Sequence, residues 1–462
     1  MRRSLLAASF LPAILFPLAA FVIGLRNPSL LDLAIISKAL PALLSVFLLL
    51  LCLAIRSFLG KSDWASENLP GLILLFLFSL GYFFLASLLN QPDLNTNNIY
   101  FAADSGSWYL RMGALEGWNT GVRAVHPLAH LIFRPIVALI SILTYGDRFT
   151  ASLLLLAFAG SGCVFLTWKV AKRICKNEVH AVLFASLLGA SASHLIFGSV
   201  IESYIFSAFL LLLFLWMLIS NRSTPLLVAA SVLTLGVTIT NIAQQAATAL
   251  FVQRNLRRVV LLFLMVVFIG AGLNVISRLI YPVTEYFFLP QNLTGEQRFA
   301  EQINLKRIGL MTENLLIYSV TAPQPYSSAR NDMPRFNFLN GTIRDYIWFG
   351  WPSLLLWTSF LILAFVSFFK RLKAGTLENQ LSLALLACPA FNFLLHVGYG
   401  TEPFLYSADW TYALVLFVAV SLKDYAERTW LQIGLFGLVM AVLVNNCWLM
   451  YLVARTVSPF LG

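Results

Sequence analysis

Apolar runs long enough to cross a bilayer recur along almost the whole chain, and they dominate what it can fold into. Runs with little or no charge occupy 5–24, 37–56, 69–89, 149–169, 180–197, 203–220, 225–241, 242–253, 259–276, 346–369, 380–397, 407–422 and 431–453. Crossing the hydrocarbon core takes about 20 apolar residues as a helix. These runs are too long and too numerous for the alternating strands of an outer-membrane barrel. A soluble core could not absorb them either: 59% of the residues are hydrophobic and 11% charged, against about 25% charged in a soluble domain. The expected fold class is therefore all-α, a polytopic transmembrane helical bundle of roughly a dozen spans. The start, MRRSLLAASFLPAILFPLAAFVIG, resembles a signal peptide, but its apolar stretch is long and further spans follow at once, so it reads as a retained helix.

The formal net charge of +11 does not point to nucleic acid. The basic residues sit in short loops between spans, which is topological information. With Arg2 and Arg3 inside, alternate loops hold Arg56 and Lys61; Lys169, Lys172, Arg173 and Lys176; Arg222; Arg254, Arg257 and Arg258; Lys370, Arg371 and Lys373; Lys423 and Arg428. The agreement requires that 225–253 cross twice, as two short spans or a broken pair around Thr240, Asn241, Gln244 and Gln245. It also requires that 128–144 lie at the interface or re-enter without crossing. The chain then divides into N-terminal spans (1–89), a first large outer loop (90–148), central spans (149–276), a second large outer loop (277–345) and C-terminal spans (346–462).

Motifs that would bring a cofactor are missing: there is no Walker loop, no dinucleotide fingerprint and no HExxH. Five dispersed cysteines lie in or beside apolar runs and read as packing residues. No cofactor or metal is expected. The polar residues of the outer loops are the candidates for chemistry. Asp104, in FAADSGSWYLRMG, fits either the N-cap of a helix begun by Ser105 and Gly106 or a general base. Glu116, twelve residues on, reads as a helix-face residue. In HPLAH, a helix starting at Pro127 would make His126 its cap and put His130 on its first turn, with Arg123 and Arg134 flanking. Two histidines are too few for a metal site, and binding of a phosphate or hydroxyl suits them better.

Glu202 lies between two apolar helices at the expected outer edge, where an ionisable group is costly unless paired or lining a cavity. It reads either as an interfacial carboxylate or as a partner of loop 90–148 opposite Asp104. His396, Glu402 and Asp409 interleave with Tyr399, Phe404, Tyr406 and Trp410, a pattern that fits an interfacial aromatic belt and a sugar site equally. Tyr109 and Tyr406 are further sugar-stacking candidates. Loop 277–345 carries many arginines; Arg278 and Arg344 abut spans and are expected to hold a phosphate, since a guanidinium pairs two of its oxygens.

An outer-loop Asp with nearby Tyr (ADSGSWY), an HP-L element (HPLAHLIF), a helix from Arg to basic residues (DRFTASLLLLAFAGSGCVFLTWKVAKR), an acidic residue at the next outer turn (GSVIESYIFSAF) and the late segment HVGYGTEPFLYSADW together resemble the GT-C superfamily of integral-membrane glycosyltransferases. That superfamily includes protein O-mannosyltransferases and the aminoarabinose transferases that modify lipid A. The motifs cover about a quarter of the chain. The resemblance implies a GT-C bundle with interfacial helices and a polyprenyl-phosphate sugar donor. It also implies a glycan, lipid or protein acceptor, a place in the bacterial inner membrane with chemistry facing the periplasm, Asp104 as catalytic base and Glu202 as its acidic companion. The chain departs from the family in placing its first large loop after the third span and in following Asp104 with Ser105 instead of a second acid. The other functional classes open to it are a transporter or flippase for lipid-linked sugars or small solutes, a noncatalytic polysaccharide-assembly partner, and an O-antigen ligase or polymerase.

Overall fold

The structure is a computed structural model that describes residues 2–92, 96–330, 333–372 and 376–460, with side chains left aside at 2, 3, 329 and 330; Lys373 of the basic-loop pattern lies outside the described residues. The chain opens with α1 (Arg2–Ser9), α2 (Leu11–Arg26), α3 (Leu33–Phe58) and α4 (Asp63–Leu89). It then forms two helices in the first loop, α5 (Ser105–Met112) and α6 (Ala129–Ser141). The central group is α7 (Arg148–Cys175), α8 (Glu178–Ala190), α9 (Ala192–Phe197), α10 (Tyr204–Ile219), α11 (Thr224–Val237), α12 (Asn241–Gln253) and α13 (Leu256–Ile280). The second loop carries α14 (Pro290–Leu293), α15 (Leu305–Glu313) and an antiparallel hairpin, β1 (Tyr326–Arg330) with β2 (Met333–Asn337), in which Tyr326 faces Asn337. The chain ends with α16 (Trp351–Arg371), α17 (Leu377–His396), α18 (Ala408–Ser421) and α19 (Thr429–Val457).

Seven of these segments are long and apolar enough to cross a membrane: Ser4–Arg26, α3, α4, α7, α13, α16 and Thr429–Phe460. Thus the chain is a multi-pass helical membrane protein. The other expected spans fall on shorter or broken helices. The run 180–197 is split at Ser191, whose hydroxyl accepts the His194 N–H and starts α9. The run 225–253 is two helices, α11 and α12, separated at Thr238–Thr240. With 13 residues, α6 rises only about 20 Å; it packs on α5 and α7. Pro127 does not begin it: α6 starts at Ala129, so His126 is no cap. The hairpin is the one departure from an all-α chain among the described residues.

At the centre stand α7 and α18. Every residue of α18 is buried. Small residues on α7 admit close neighbours: a Cβ on Gly162 would lie 2.7 Å from the Phe209 ring, and one on Gly160 3.0 Å from Tyr82. By contrast α3 and α13 expose leucine, isoleucine and phenylalanine along their length, as at Leu48, Leu49, Leu264 and Phe268, a surface suited to lipid.

Hydrogen bonds and ion pairs sort the loops into two ends. At one end Lys172 reaches Glu178 and the Glu67 carbonyl, Arg371 reaches Asp424, and Lys423 reaches Glu378. Helix caps made by Ser62, Asn177, Asn255 and Thr376 belong to this basic end. At the other end Gln91 donates to the Leu30 carbonyl, Ser29 bonds Ser458, and Lys38 pairs with Asp147, which also caps α7. Both large loops lie at this second end, and a cavity with charged and aromatic walls opens there.

Candidate functional site

Segments distant in sequence wall a cavity of about 380 Å³: the turn before α5, the segment from Arg123 to His126, the turn at Glu202, the α11–α12 break, Glu296 and Phe299, and 395–409. The hairpin fastens the walls together. Phe101 donates to the Phe336 carbonyl at 3.0 Å, and Phe336 donates to the Ile99 carbonyl at 2.8 Å. Phe101, Phe338 and Phe404 then pack ring to ring at 4.8–4.9 Å.

Asp104 occupies the residue before α5, yet its carboxylate caps nothing. Its backbone does the anchoring: the Asp104 N–H donates to Glu202 Oε2 at 2.8 Å, and its carbonyl accepts from Trp108 at 2.8 Å. The preceding Phe101 and Ala102 hold φ of 51° and 62°, a left-handed conformation that costs a non-glycine residue on the order of 1–3 kcal/mol and concentrates at functional sites. With its side chain half-buried at the cavity wall and no hydrogen bond spent within the described residues, Asp104 keeps its acceptor oxygens for a ligand.

Glu202 is arranged in the opposite way. It is 2% exposed. Its oxygens accept from the Asp104 N–H, the Ser203 N–H at 2.8 Å and the Ser203 hydroxyl at 3.2 Å. Burial, then the nearby Asp104 charge, push its carboxyl up to about 7 against the pull of those N–H donors and Arg111. It holds the loop that presents Asp104.

Two arginines serve the cavity. Arg111 lies seven residues after Asp104 on α5, with its guanidinium 5.4 Å from the Trp108 ring centre, one bond from Nε to the Gly121 carbonyl at 3.3 Å, and the charges of Glu202 and Asp104 nearby. Arg123 makes a two-pronged pair with Glu296, Nε to Oε1 at 2.9 Å and a second close contact, and lies over Phe299. Tyr399 donates to Glu296 at 2.7 Å. Burial raises the Glu296 carboxyl, but the bonds from Arg123 and Tyr399 outweigh it and hold the group below its usual range.

His126 lines the cavity, bonds the Val237 carbonyl through Nδ1 at 2.6 Å, and meets the edge of Trp108. Burial drives its imidazolium form down to about 3, so the ring is neutral. Nδ1 is then the donor and Nε2 the basic nitrogen. His396 stacks on Tyr406 at 3.9 Å, and Tyr406 meets Tyr204. Glu402 touches the cavity but spends its oxygens on the Phe338 and Phe404 N–H groups, and burial pushes it up to about 7. Arg307 clamps the same segment through the carbonyls of His396, Tyr399, Gly400 and Thr401. On the floor, Asp409 accepts from Asn241 at 3.1 Å.

Asp104, Glu202, His126, His396, Glu402 and Tyr406 therefore converge, whereas four other candidates do not. Tyr109 packs on Phe149 in a separate recess with Asn90 and Glu116. His130 is buried against Tyr281 with neither ring nitrogen bonded. Arg278 lies over Tyr286 at 4.5 Å, and Arg344 is exposed in the short turn that Thr342 caps; neither lines the cavity. Among the described residues no three or more His, Cys, Asp or Glu are grouped to hold a metal ion.

No known protein family, curated protein or solved structure matches the chain.

Arg111, Glu296 and Tyr204 escaped the reading of the sequence. Arg111 had a signal: Asp104, Trp108 and Arg111 follow the i, i+4, i+7 spacing of one helical face. Glu296, in a loop between LT and QRF, had none.

Proposed function

We propose that this chain is a membrane-embedded glycosyltransferase that moves a sugar from a polyprenyl-phosphate donor to a hydroxyl acceptor at the end of the bundle opposite its basic loops. One observation carries the reading: the Asp104 carboxylate stands without an internal hydrogen bond in a cavity lined by two arginines and several aromatic rings. The acceptor oxygen attacks the anomeric carbon as its proton passes to Asp104. The bond from that carbon to the donor phosphate oxygen breaks, and the phosphate leaves with the electron pair. Arg111 and Arg123 neutralise it, in place of the Arg278 and Arg344 expected from sequence. A single displacement inverts the configuration. Trp108, Tyr399 and Tyr406 supply faces for the sugar ring.

Asp104→Asn tests this. General-base catalysis contributes roughly 10²–10⁴-fold, and the carboxylate caps no helix, so turnover at saturating donor falls by that factor while thermal stability holds. Purified protein with a panel of polyprenyl-phosphate sugars, scored by release of polyprenyl phosphate, gives the readout. Turnover near wild type removes Asp104 from the chemistry.

A lipid-linked sugar flippase is the second reading, favoured by the α11–α12 break at the cavity floor, since interrupted helices line many transport sites. Sugar transfer in detergent, where there are no two compartments, separates the two.

A further inference from the structure

The basic end of the bundle has a cavity of its own, far along the chain's span from Asp104. Helices α10 to α13 enclose a recess of about 630 Å³ with Asn221, Arg222, Gln253 and Arg258 among its polar lining and Leu218, Leu227 and Leu262 among its apolar lining. It continues into a trough of about 660 Å³ along α11 and α13, lined by Val228, Ala229, Val232 and Ile269, and the two share Thr224 and Met265. Apart from Thr224 the trough lining is apolar.

The two arginines at the recess are exposed and have no carboxylate within 4.0 Å among the described residues. Arg222 lies 5.2 Å from the Trp216 ring centre, and Lys169 stands close enough to feel its charge. The result is a concave cationic rim continuous with an apolar channel. That is the shape and charge of an amphiphile with an anionic head. Basic pockets between transmembrane helices on the cytoplasmic side take phosphate headgroups, and guanidinium groups pair phosphate oxygens two at a time.

We propose that the recess and trough together bind one anionic glycerophospholipid from the leaflet at the basic end, with its phosphate between Arg222 and Arg258 and its acyl chains along α11 and α13. A protein helix would fill the trough but leave the two guanidinium groups unmatched. A free phosphate would leave the trough empty. The site stands apart from the glycosyl-transfer reading and does not depend on it. Helix α11 connects the two regions: Thr224 at its start lines the lipid recess, and Val237 at its end accepts the His126 bond in the cavity wall.

Native mass spectrometry of the delipidated full chain tests the proposal, with phosphatidylglycerol, phosphatidylcholine of the same acyl chains and a polyprenyl monophosphate as probes. Wild type retains one phosphatidylglycerol in preference to phosphatidylcholine. Each arginine near the membrane surface contributes about 5-fold to anionic lipid affinity, so Arg222→Gln with Arg258→Gln weakens phosphatidylglycerol by about 30-fold and weakens phosphatidylcholine, whose choline cation offsets its phosphate, clearly less. Ala229→Trp fills the trough without touching a charge and also weakens phosphatidylglycerol. The proposal fails if wild type does not distinguish the two phospholipids, if either variant binds phosphatidylglycerol as wild type does, or if polyprenyl monophosphate binds more tightly.

Discussion

Glu202→Gln separates Glu202 from Asp104 through pH. Burial and the Asp104 charge lift the Glu202 carboxyl from 4.5 to about 7. A group raised in the folded state contributes stability that is fully present below its unfolded pKa and is lost as pH rises through its folded pKa. The displacement is about 2.5 pH units, and at about 1.36 kcal/mol per unit it amounts to roughly 3 kcal/mol. The wild-type protein therefore loses about that much stability between pH 4.5 and 7 on account of this residue and levels off above. Gln does not titrate, so this residue's share of the slope vanishes in Glu202→Gln, while the shares of the other buried groups, Glu402 lifted to about 7 and the histidines pulled the opposite way, are common to both proteins. Hydrogen bonding sets the accompanying activity change. Ionised Glu202 accepts from three donors across two oxygens, whereas Gln turns an NH₂ toward one set of them. Below pH 7 the neutral acid resembles Gln and the two proteins differ little; above it Glu202 ionises and holds the loop bearing Asp104 through all three donors, whereas the variant keeps its low-pH behaviour. Unfolding midpoints in micelles from pH 4 to 9, with turnover across the same range, give both readouts. Stability curves of wild type and Glu202→Gln that run parallel from pH 4 to 9 would refute the reasoning.

Further outcomes follow from the same cavity. Arg123→Gln and Glu296→Gln each cost about 1–3 kcal/mol, because the pair is partly buried and two-pronged; the double variant costs no more than the worse single, and an additive double would show that the pair is not coupled. Arg111→Gln raises the donor KM at least about 10-fold while Arg344→Ala leaves it unchanged, a consequence of which guanidinium lines the cavity; the reverse pattern restores the site expected from sequence. Cysteines placed by Ser107→Cys and Gln297→Cys react with an impermeant reagent in intact cells, and protection of both until the membrane is opened would reverse the topology.

The helical membrane architecture was legible because it depends on run length and on where lysine and arginine fall, both of which are local properties. Even the ambiguous 225–253 was flagged by its Asn and Gln residues, which now sit at the α11–α12 break and on α12, with Asn241 bonded to Asp409. What stayed hidden was whatever depends on chain returning from afar. Arg278 and Arg344 looked apt because each abuts a span, but the direction a side chain takes at a helix end is set by neighbours such as Tyr286. Glu296 gained its role from Arg123, 173 positions earlier. Glu402 looked like a sugar ligand in its aromatic setting, yet its oxygens are committed to the Phe404 N–H of its own turn and to the Phe338 N–H just past a hairpin that no run of residues announced.

The cavity walls come from segments that leave the ribosome far apart in time. The Asp104 N–H waits for Glu202, the turn at Phe101 waits for Phe336, and the floor waits for Asp409. Chains emerge at roughly 5–20 residues per second, so the first large loop spends on the order of tens of seconds without the partners that complete its shape. During that interval the strained turn before α5 has nothing to hold it, and Asp104 is one solvated carboxylate among others. In a nascent chain inserted in the membrane the cavity is thus built up in stages and closes only when the final third of the protein docks.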